Sequence, residues 1–184
     1  MEIVNLRKGG LAIYGGVIAG ILTLLVFTKK RHLSFLSMAD SACLGLITGQ
    51  MIGRWGNFIN CEAFGRYTDC LFAMRIRRSI VNESMISQNL IDHLILDNGI
   101  EYIQVHPTFL YESLWNFGLL MFMLWFRKRK PFTGEMLCIY LAGYGIGRAW
   151  IEGLRTDSLL IPGTQIAVSQ ALSVVLATVS LVIL

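Results

Sequence analysis

The chain has 184 residues, of which 54% are hydrophobic and only 15% charged, with a formal net charge of +4. An average soluble domain carries about 25% charged residues, so this composition excludes an ordinary water-facing globular surface and makes a lipid bilayer the better solvent. The basic residues gather in Lys29-Lys30-Arg31-His32 and Arg127-Lys128-Arg129-Lys130, each directly after a long apolar run, which is the placement expected of cytoplasmic flanks and calls for no nucleic-acid partner.

A helix crossing the hydrocarbon core needs about 20 mostly apolar residues. Five stretches qualify: about Leu11 to Thr28, Phe35 to Gly53, Pro107 to Phe126, Glu135 to Ile151 and Thr164 to Leu184. With both basic blocks inside, spans one, three and five run inward, and spans two and four return. The segment from Arg54 to His106 is then outside, as is the turn around Thr156 to Gly163. Arg75, Arg77 and Arg78 sit on that outer side, where the charge bias is weaker for longer loops. Within this segment, Leu71 to Arg78 and Glu101 to Val105 read as strands, and Asn82 to Leu96 as an amphipathic helix. The expected fold is therefore an all-α polytopic membrane protein, one membrane domain over 1–184. It has about five transmembrane helices and a small extracytoplasmic α+β cap over 54–106. No cleavable signal-peptide pattern leads the first span, and no internal or inverted repeat is visible.

Span one opens on Gly9-Gly10-Leu11-Ala12-Ile13-Tyr14-Gly15-Gly16. Its glycine pairs suggest close packing around one hydroxyl, although a lone Tyr serves equally as an interface anchor. In span two, Gly45, Gly49 and Gly53 share one helix face and suggest close approach of a neighbour. The chain then runs Gly53-Arg54-Trp55-Gly56-Asn57-Phe58-Ile59-Asn60-Cys61-Glu62-Ala63-Phe64-Gly65-Arg66, crowding two guanidinium groups, two amides and a carboxylate at a membrane edge. Each such group is costly in lipid, and Arg presents a planar fork of donors matched to phosphate. A phospholipid headgroup is the nearest abundant phosphate; the bland reading is an Arg snorkelling to headgroups.

His106-Pro107 opens span three at the level of Arg54, followed by Thr108, Tyr111 and Glu112. Pro suits a first helical position, and His106 is either a capping residue or a catalytic one. In span four Tyr144, Arg148, Glu152 and Arg155 fall at i, i+4, i+8 and i+11 on one face, with Gly143 and Gly147 beside them for close helix approach. Arg148 and Glu152 form either a buried ion pair or a ligand-facing Arg oriented by its carboxylate. Cys43, Cys61, Cys70 and Cys138 are too scattered for a zinc site. Cys43 and Cys138 read as packing residues, and Cys61 and Cys70, both outside, are placed to pair or stay free.

Four blocks taken together resemble the bacterial prolipoprotein diacylglyceryl transferases: GGLAIYGG at Gly9–Gly16, GRWGNFINCEAFGR at Gly53–Arg66, HPTFLYE at His106–Glu112 and YGIGRAWIEGLRTDSL at Tyr144–Leu159. The resemblance implies a multi-pass enzyme of the bacterial inner membrane, its site toward the extracytoplasmic side. It implies transfer of the diacylglyceryl group of phosphatidylglycerol to the lipobox cysteine of a prolipoprotein signal peptide, giving a thioether and glycerol phosphate. No metal or organic cofactor is implied. By motif, Arg54 resembles the family's essential phospholipid-binding Arg, with Asn57, Glu62 and Gly65 as its motif companions; Asn60 and Arg66 beside them complete the candidate substrate-binding set. Arg148 and Glu152 resemble a second essential pair, with Tyr144 on the same face. Tyr14 and His106 are the candidates for the base that a thiol of pKa near 8.5 would use. Tyr14 stands where many members carry a His, and Cys61 where Gly or Gln is usual. The family's further N-terminal membrane helices have no counterpart here, so the alternative expectation is a truncated, non-catalytic relative that binds phospholipid or a partner.

Overall fold

A computed structural model describes residues 10–129, 131–156, 164 and 167–184, with side chains from residue 15 onward. Five long helices occupy the five apolar stretches: α1 (Gly10–Arg31), α2 (Phe35–Ile59), α4 (Thr108–Phe126), α5 (Glu135–Glu152) and α6 (Val168–Ile183). Between α2 and α4 lie β1 (Met74–Arg77), a short helix α3 (Gln88–Asp92), β2 (Ile95–Asp97) and β3 (Ile100–Val105). By length and apolarity, α2 and α4 are able to cross a membrane, and α6 is a shorter apolar helix. The expected turn over 157–163 lies outside the described residues, as does the side chain of Tyr14.

α2 packs along α4, and α5 packs along α6, α4 and α2. Their shared core is Cys43, Ile47, Leu120, Met123, Met136, Ile139 and Tyr140. The outward faces are apolar as well: Ile18, Leu22 and Val26 of α1, Phe117 and Phe122 of α4, and Val175, Val179 and Val182 of α6 are all exposed. Polar groups inside the bundle act as cross-ties. Gln50 Nε2 donates to Tyr140 Oη at 2.9 Å, Ser113 Oγ to the Met51 carbonyl at 3.1 Å and Trp115 Nε1 to the Gly143 carbonyl at 2.9 Å. The first turn of α5 leaves backbone N–H groups unpaired within the helix. Asp40 of α2 receives two of these donors, Gly134 N at 2.9 Å and Leu137 N at 3.1 Å.

The glycine stripe of α2 does not receive a neighbour: nothing among the described residues comes within 4 Å of a Cβ placed on Gly45, Gly49 or Gly53. The close approaches lie on α5, where the Trp115 ring rests on Gly147 and Leu119 Cδ1 comes within 2.5 Å of a Cβ placed on Gly143. Two other sequence expectations need correction. α2 runs on past Gly53 to Ile59, which puts Arg54 and Asn57 on a helix. The helix expected over Asn82 to Leu96 is confined to Gln88–Asp92, with 3-10 turns before it, and Ile95–Asp97 is a strand. Asn98 and Gly99, at φ of 50° and 76°, form a two-residue hairpin turn of the kind that Asn-Gly favours. β3 is the centre of an antiparallel sheet ordered β1-β3-β2, with Met74 opposite Val105 and Ile95 opposite Tyr102. Phe64, Ile76, Leu90, Ile103 and Val105 form a second core beneath it.

Candidate functional site

Thr108 anchors the start of α4 by donating its hydroxyl to the Ala63 carbonyl at 2.5 Å. One helical turn on, Glu112 points into the bundle with 5% of its side chain exposed. Arg54 Nε reaches Glu112 Oε2 at 2.7 Å from α2, and Arg148 Nη1 reaches Oε1 at 3.0 Å from α5. The other amino group of Arg148 pairs with Glu152 Oε2 at 2.5 Å, one turn further along α5. Arg155 Nη1 stands 3.9 Å from Glu112 Oε1. α5 ends at Glu152, so Arg155 comes from the turn that follows and not from the helical stripe. Trp55 holds α2 against α4 at this level by donating from Nε1 to Ser113 Oγ at 3.2 Å.

Three guanidinium groups thus face two carboxylates that are each about 95% buried. Isolated charges at such depth would be very unfavourable; pairing and hydrogen bonding offset the desolvation. The set keeps a net positive charge, and donors remain for an anion. Among the described residues Arg54 engages Glu112 through Nε alone, and its side chain is 19% exposed. Beside Arg148 a small crevice runs between α4 and α5, lined by Glu112, Trp115, Asn116, Tyr144 and Gly147. Tyr144 stacks on Tyr140 with ring centroids 5.7 Å apart.

Arg54, Arg148, Glu152 and Tyr144 are therefore brought together, as the sequence anticipates. Asn57 lies one turn from Arg54 on α2, and its backbone carbonyl accepts from Glu62 N at 3.0 Å. Asn60 and Glu62 form an exposed pair, with Nδ2 to Oε1 at 3.2 Å, and Arg66 is exposed. Gly65 is a packing position: a Cβ there would lie 2.6 Å from His106 Cβ and 3.1 Å from the Leu154 carbonyl. Its backbone pairs with Arg155, its N–H donates to the His106 carbonyl at 3.0 Å, and Arg66 N donates to the Leu154 carbonyl at 2.9 Å. The chain around Gly65 therefore fixes both His106 and Arg155.

His106 is partly buried, and its Nδ1 lies 3.2 Å from Tyr111 Oη. Burial lowers the imidazole pKa below its usual 6.5, so the ring is neutral at pH 7. The same Tyr111 hydroxyl is 3.7 Å from Cys70 Sγ. Hydrogen bonds from Thr68 first, then Tyr111, hold the exposed Cys70 thiol below the usual range. Cys61 and Cys70 are both free. Among the described residues His106 makes no hydrogen bond to Arg54 or Arg148; its ring partner is Tyr111.

In the sequence Glu112 stands out only as part of the HPTFLYE block, with no role of its own, and Asn116 not at all, although both lie on α4. The available signal was a carboxylate and, four residues on, an amide inside an otherwise apolar run, which in a membrane helix points to function. Among the described residues no three His, Cys, Asp or Glu side chains are grouped for metal binding. Anion binding by the guanidinium groups is the chemistry the site offers.

Comparison with known proteins places the whole chain in a family. Residues 1–184 match the family model described as prolipoprotein diacylglyceryl transferase. A phosphatidylglycerol–prolipoprotein diacylglyceryl transferase of Clostridioides difficile (strain 630) is 43% identical over 160 residues, covering 87% of this chain and 55% of that protein. Proteins of the same name from Bacillus cereus (strain ATCC 14579) and Bacillus mycoides (strain KBAB4) are 41% and 40% identical, covering 98% and 99% of this chain and 62% and 63% of theirs. The chain thus spans between about half and two thirds of the length of these relatives. With a full-length family match and this identity, the chain belongs to the prolipoprotein diacylglyceryl transferase family.

Proposed function

We propose that the chain binds phosphatidylglycerol through Arg54, Arg148 and Arg155 and transfers its diacylglyceryl group to the lipobox cysteine of a prolipoprotein. The observation that carries this reading is the convergence of three guanidinium groups on Glu112 between α2, α4 and α5. In the reaction the peptide thiolate attacks the glyceryl carbon that bears the phosphate ester. A carbon–sulfur bond forms, the carbon–oxygen bond breaks, and the electron pair leaves with glycerol phosphate. Charge grows on the leaving phosphate, where preorganised donors stabilise the transition state most. Glu112 and Glu152 hold the guanidinium planes in position before lipid arrives. The proton of the thiol passes to a base, and His106, neutral at pH 7, suits that role, with the Tyr111 hydroxyl orienting its ring.

In this reading the five long helices cross the bacterial inner membrane, with Lys29-Lys30-Arg31 and Arg127-Lys128-Arg129 on the cytoplasmic side. Segment 54–106 lies outside, and Asn57, Asn60, Glu62 and Arg66 border the path by which lipid and signal peptide enter. The apolar outward faces of α1, α4 and α6 support a lipid environment, since soluble monomers rarely show contiguous apolar patches of that extent. The test is incubation of the purified protein with phosphatidylglycerol and a lipobox peptide. Lipidated peptide and free glycerol phosphate in equal amounts are expected, and both vanish in Arg54→Ala and Arg148→Ala. Lipid binding without transfer would instead establish a non-catalytic relative.

A further inference from the structure

Asn116 lies four residues beyond Glu112 on α4 and is 2% exposed. Its Nδ2 has no hydrogen-bond partner among the described residues, yet it belongs to the crevice shared by Glu112, Tyr144 and Arg148. A buried amide donor left unpaired costs about 1–3 kcal/mol, so a group that accepts from it is the natural complement. The Trp115 indole is already committed to the Gly143 carbonyl, which leaves the Asn116 amide as an unpaired donor between a rigid aromatic wall and the ionic cluster.

One helical turn separates Glu112 from Asn116, a rise of about 6 Å along the axis. Toward Arg127 the helix becomes wholly apolar, with Leu119, Leu120, Phe122 and Met123 following. The site is thus graded: guanidinium groups, then one amide donor, then hydrocarbon. A glycerophospholipid has the same order, with a phosphate, then acyl ester carbonyls, then chains. From this match we propose that Asn116 Nδ2 donates to an acyl ester carbonyl of the bound lipid, so that the site selects ester-linked over ether-linked glycerolipids. The proposal rests on the phospholipid reading above and adds to it the part of the lipid that is recognised below the headgroup.

The experiment compares the affinity of the purified protein for diacyl phosphatidylglycerol and for its dialkyl ether analogue, in mixed micelles and by lipid-induced thermal stabilisation. Transfer to a lipobox peptide is followed in the same samples. Wild type binds the diester on the order of tenfold more tightly. Asn116→Leu brings the two lipids to within about twofold of each other, and Asn116→Gln restores part of the preference. Because the leucine replaces an unpaired buried amide, the lipid-free protein melts no lower than wild type. Equal affinity of wild type for the two lipids overturns the proposal, as does a preference that survives in Asn116→Leu. If that variant fails to fold, the wild-type comparison alone decides. An ester preference without transfer removes the transferase reading and leaves the ester contact in place; transfer with no preference does the reverse.

Discussion

At Glu112 one carboxylate with 5% exposure receives Arg54 Nε at 2.7 Å and Arg148 Nη1 at 3.0 Å. Removing it takes from Arg54, Arg148 and Arg155 a buried carboxylate they share, so Glu112→Ala is expected to destabilise the protein by about 3–5 kcal/mol and to abolish transfer. Unfolding in detergent, monitored by near-UV signal, checks the first effect. Glu62→Ala, which removes an exposed carboxylate accepting from the amide of Asn60, should stay within about 0.5 kcal/mol of wild type. The imidazole of His106 gives a prediction of sign. Its folded pKa is lowered by burial, so the neutral base persists below pH 6.5 and the rate falls only on further acidification. In the unfolded chain the same ring protonates first, so stability also rises with pH between the lowered value and 6.5. A pH–rate profile for wild type and His106→Gln tests this: the acid limb disappears in the variant if His106 is the base and persists if it is not. Arg54, Arg148 and Glu152 were legible in the sequence because charges in an apolar run are conspicuous. Glu112 was harder to read, since its value comes from partners 58 and 36 residues away.

Among the elements, α5 carries most of the site, and it is positioned by contacts of two kinds. Gly147 lets the Trp115 ring lie against the helix backbone. Gly147→Val would drive the Cβ branch into that ring, and overpacking of this sort costs about 1–3 kcal/mol. The expected result is a lowered melting temperature together with reduced turnover, because Arg148 is the next residue. Wild-type values for both would show that Trp115 yields easily. At the other end, Asp40 accepts from Gly134 N and Leu137 N. Asp40→Ala should cost about 0.5–2 kcal/mol, read by the same unfolding experiment, with little effect on lipid affinity. Helical periodicity disclosed the face of α5 that bears Tyr144, Arg148 and Glu152. It did not disclose the Asp40 cap, which arrives from a helix 94 residues earlier in the chain. From α3 into β2, apolar residues at Leu90, Leu94 and Ile95 imitate one longer helix. The Asn98-Gly99 turn, which returns the chain at positive φ, was the local signal for the hairpin.

For the molecule as a whole, the sequence conveyed the number and order of the long helices because five long apolar runs are separated by polar segments. It conveyed less about helix neighbours: the Gly45, Gly49 and Gly53 face is open among the described residues, and the tight contacts are on α5. Orientation rests on the two basic blocks, and Cys70 provides a native reporter for it. That thiol is exposed, whereas Cys43 is buried. In intact cells lacking the outer layers, with the competing thiol removed by Cys61→Ala, a membrane-impermeant maleimide should label Cys70 without permeabilisation. Labelling only after permeabilisation would invert the topology. In the proposed reaction Arg54 and Arg148 jointly hold a lipid phosphate at Glu112. A structure of the protein in nanodiscs rich in phosphatidylglycerol measures this directly. Phosphate density is expected within hydrogen-bonding distance of both guanidinium groups, with the acyl chains running past Asn116 along α4. Phosphate density elsewhere, or at one arginine with the other turned away from lipid, would contradict it.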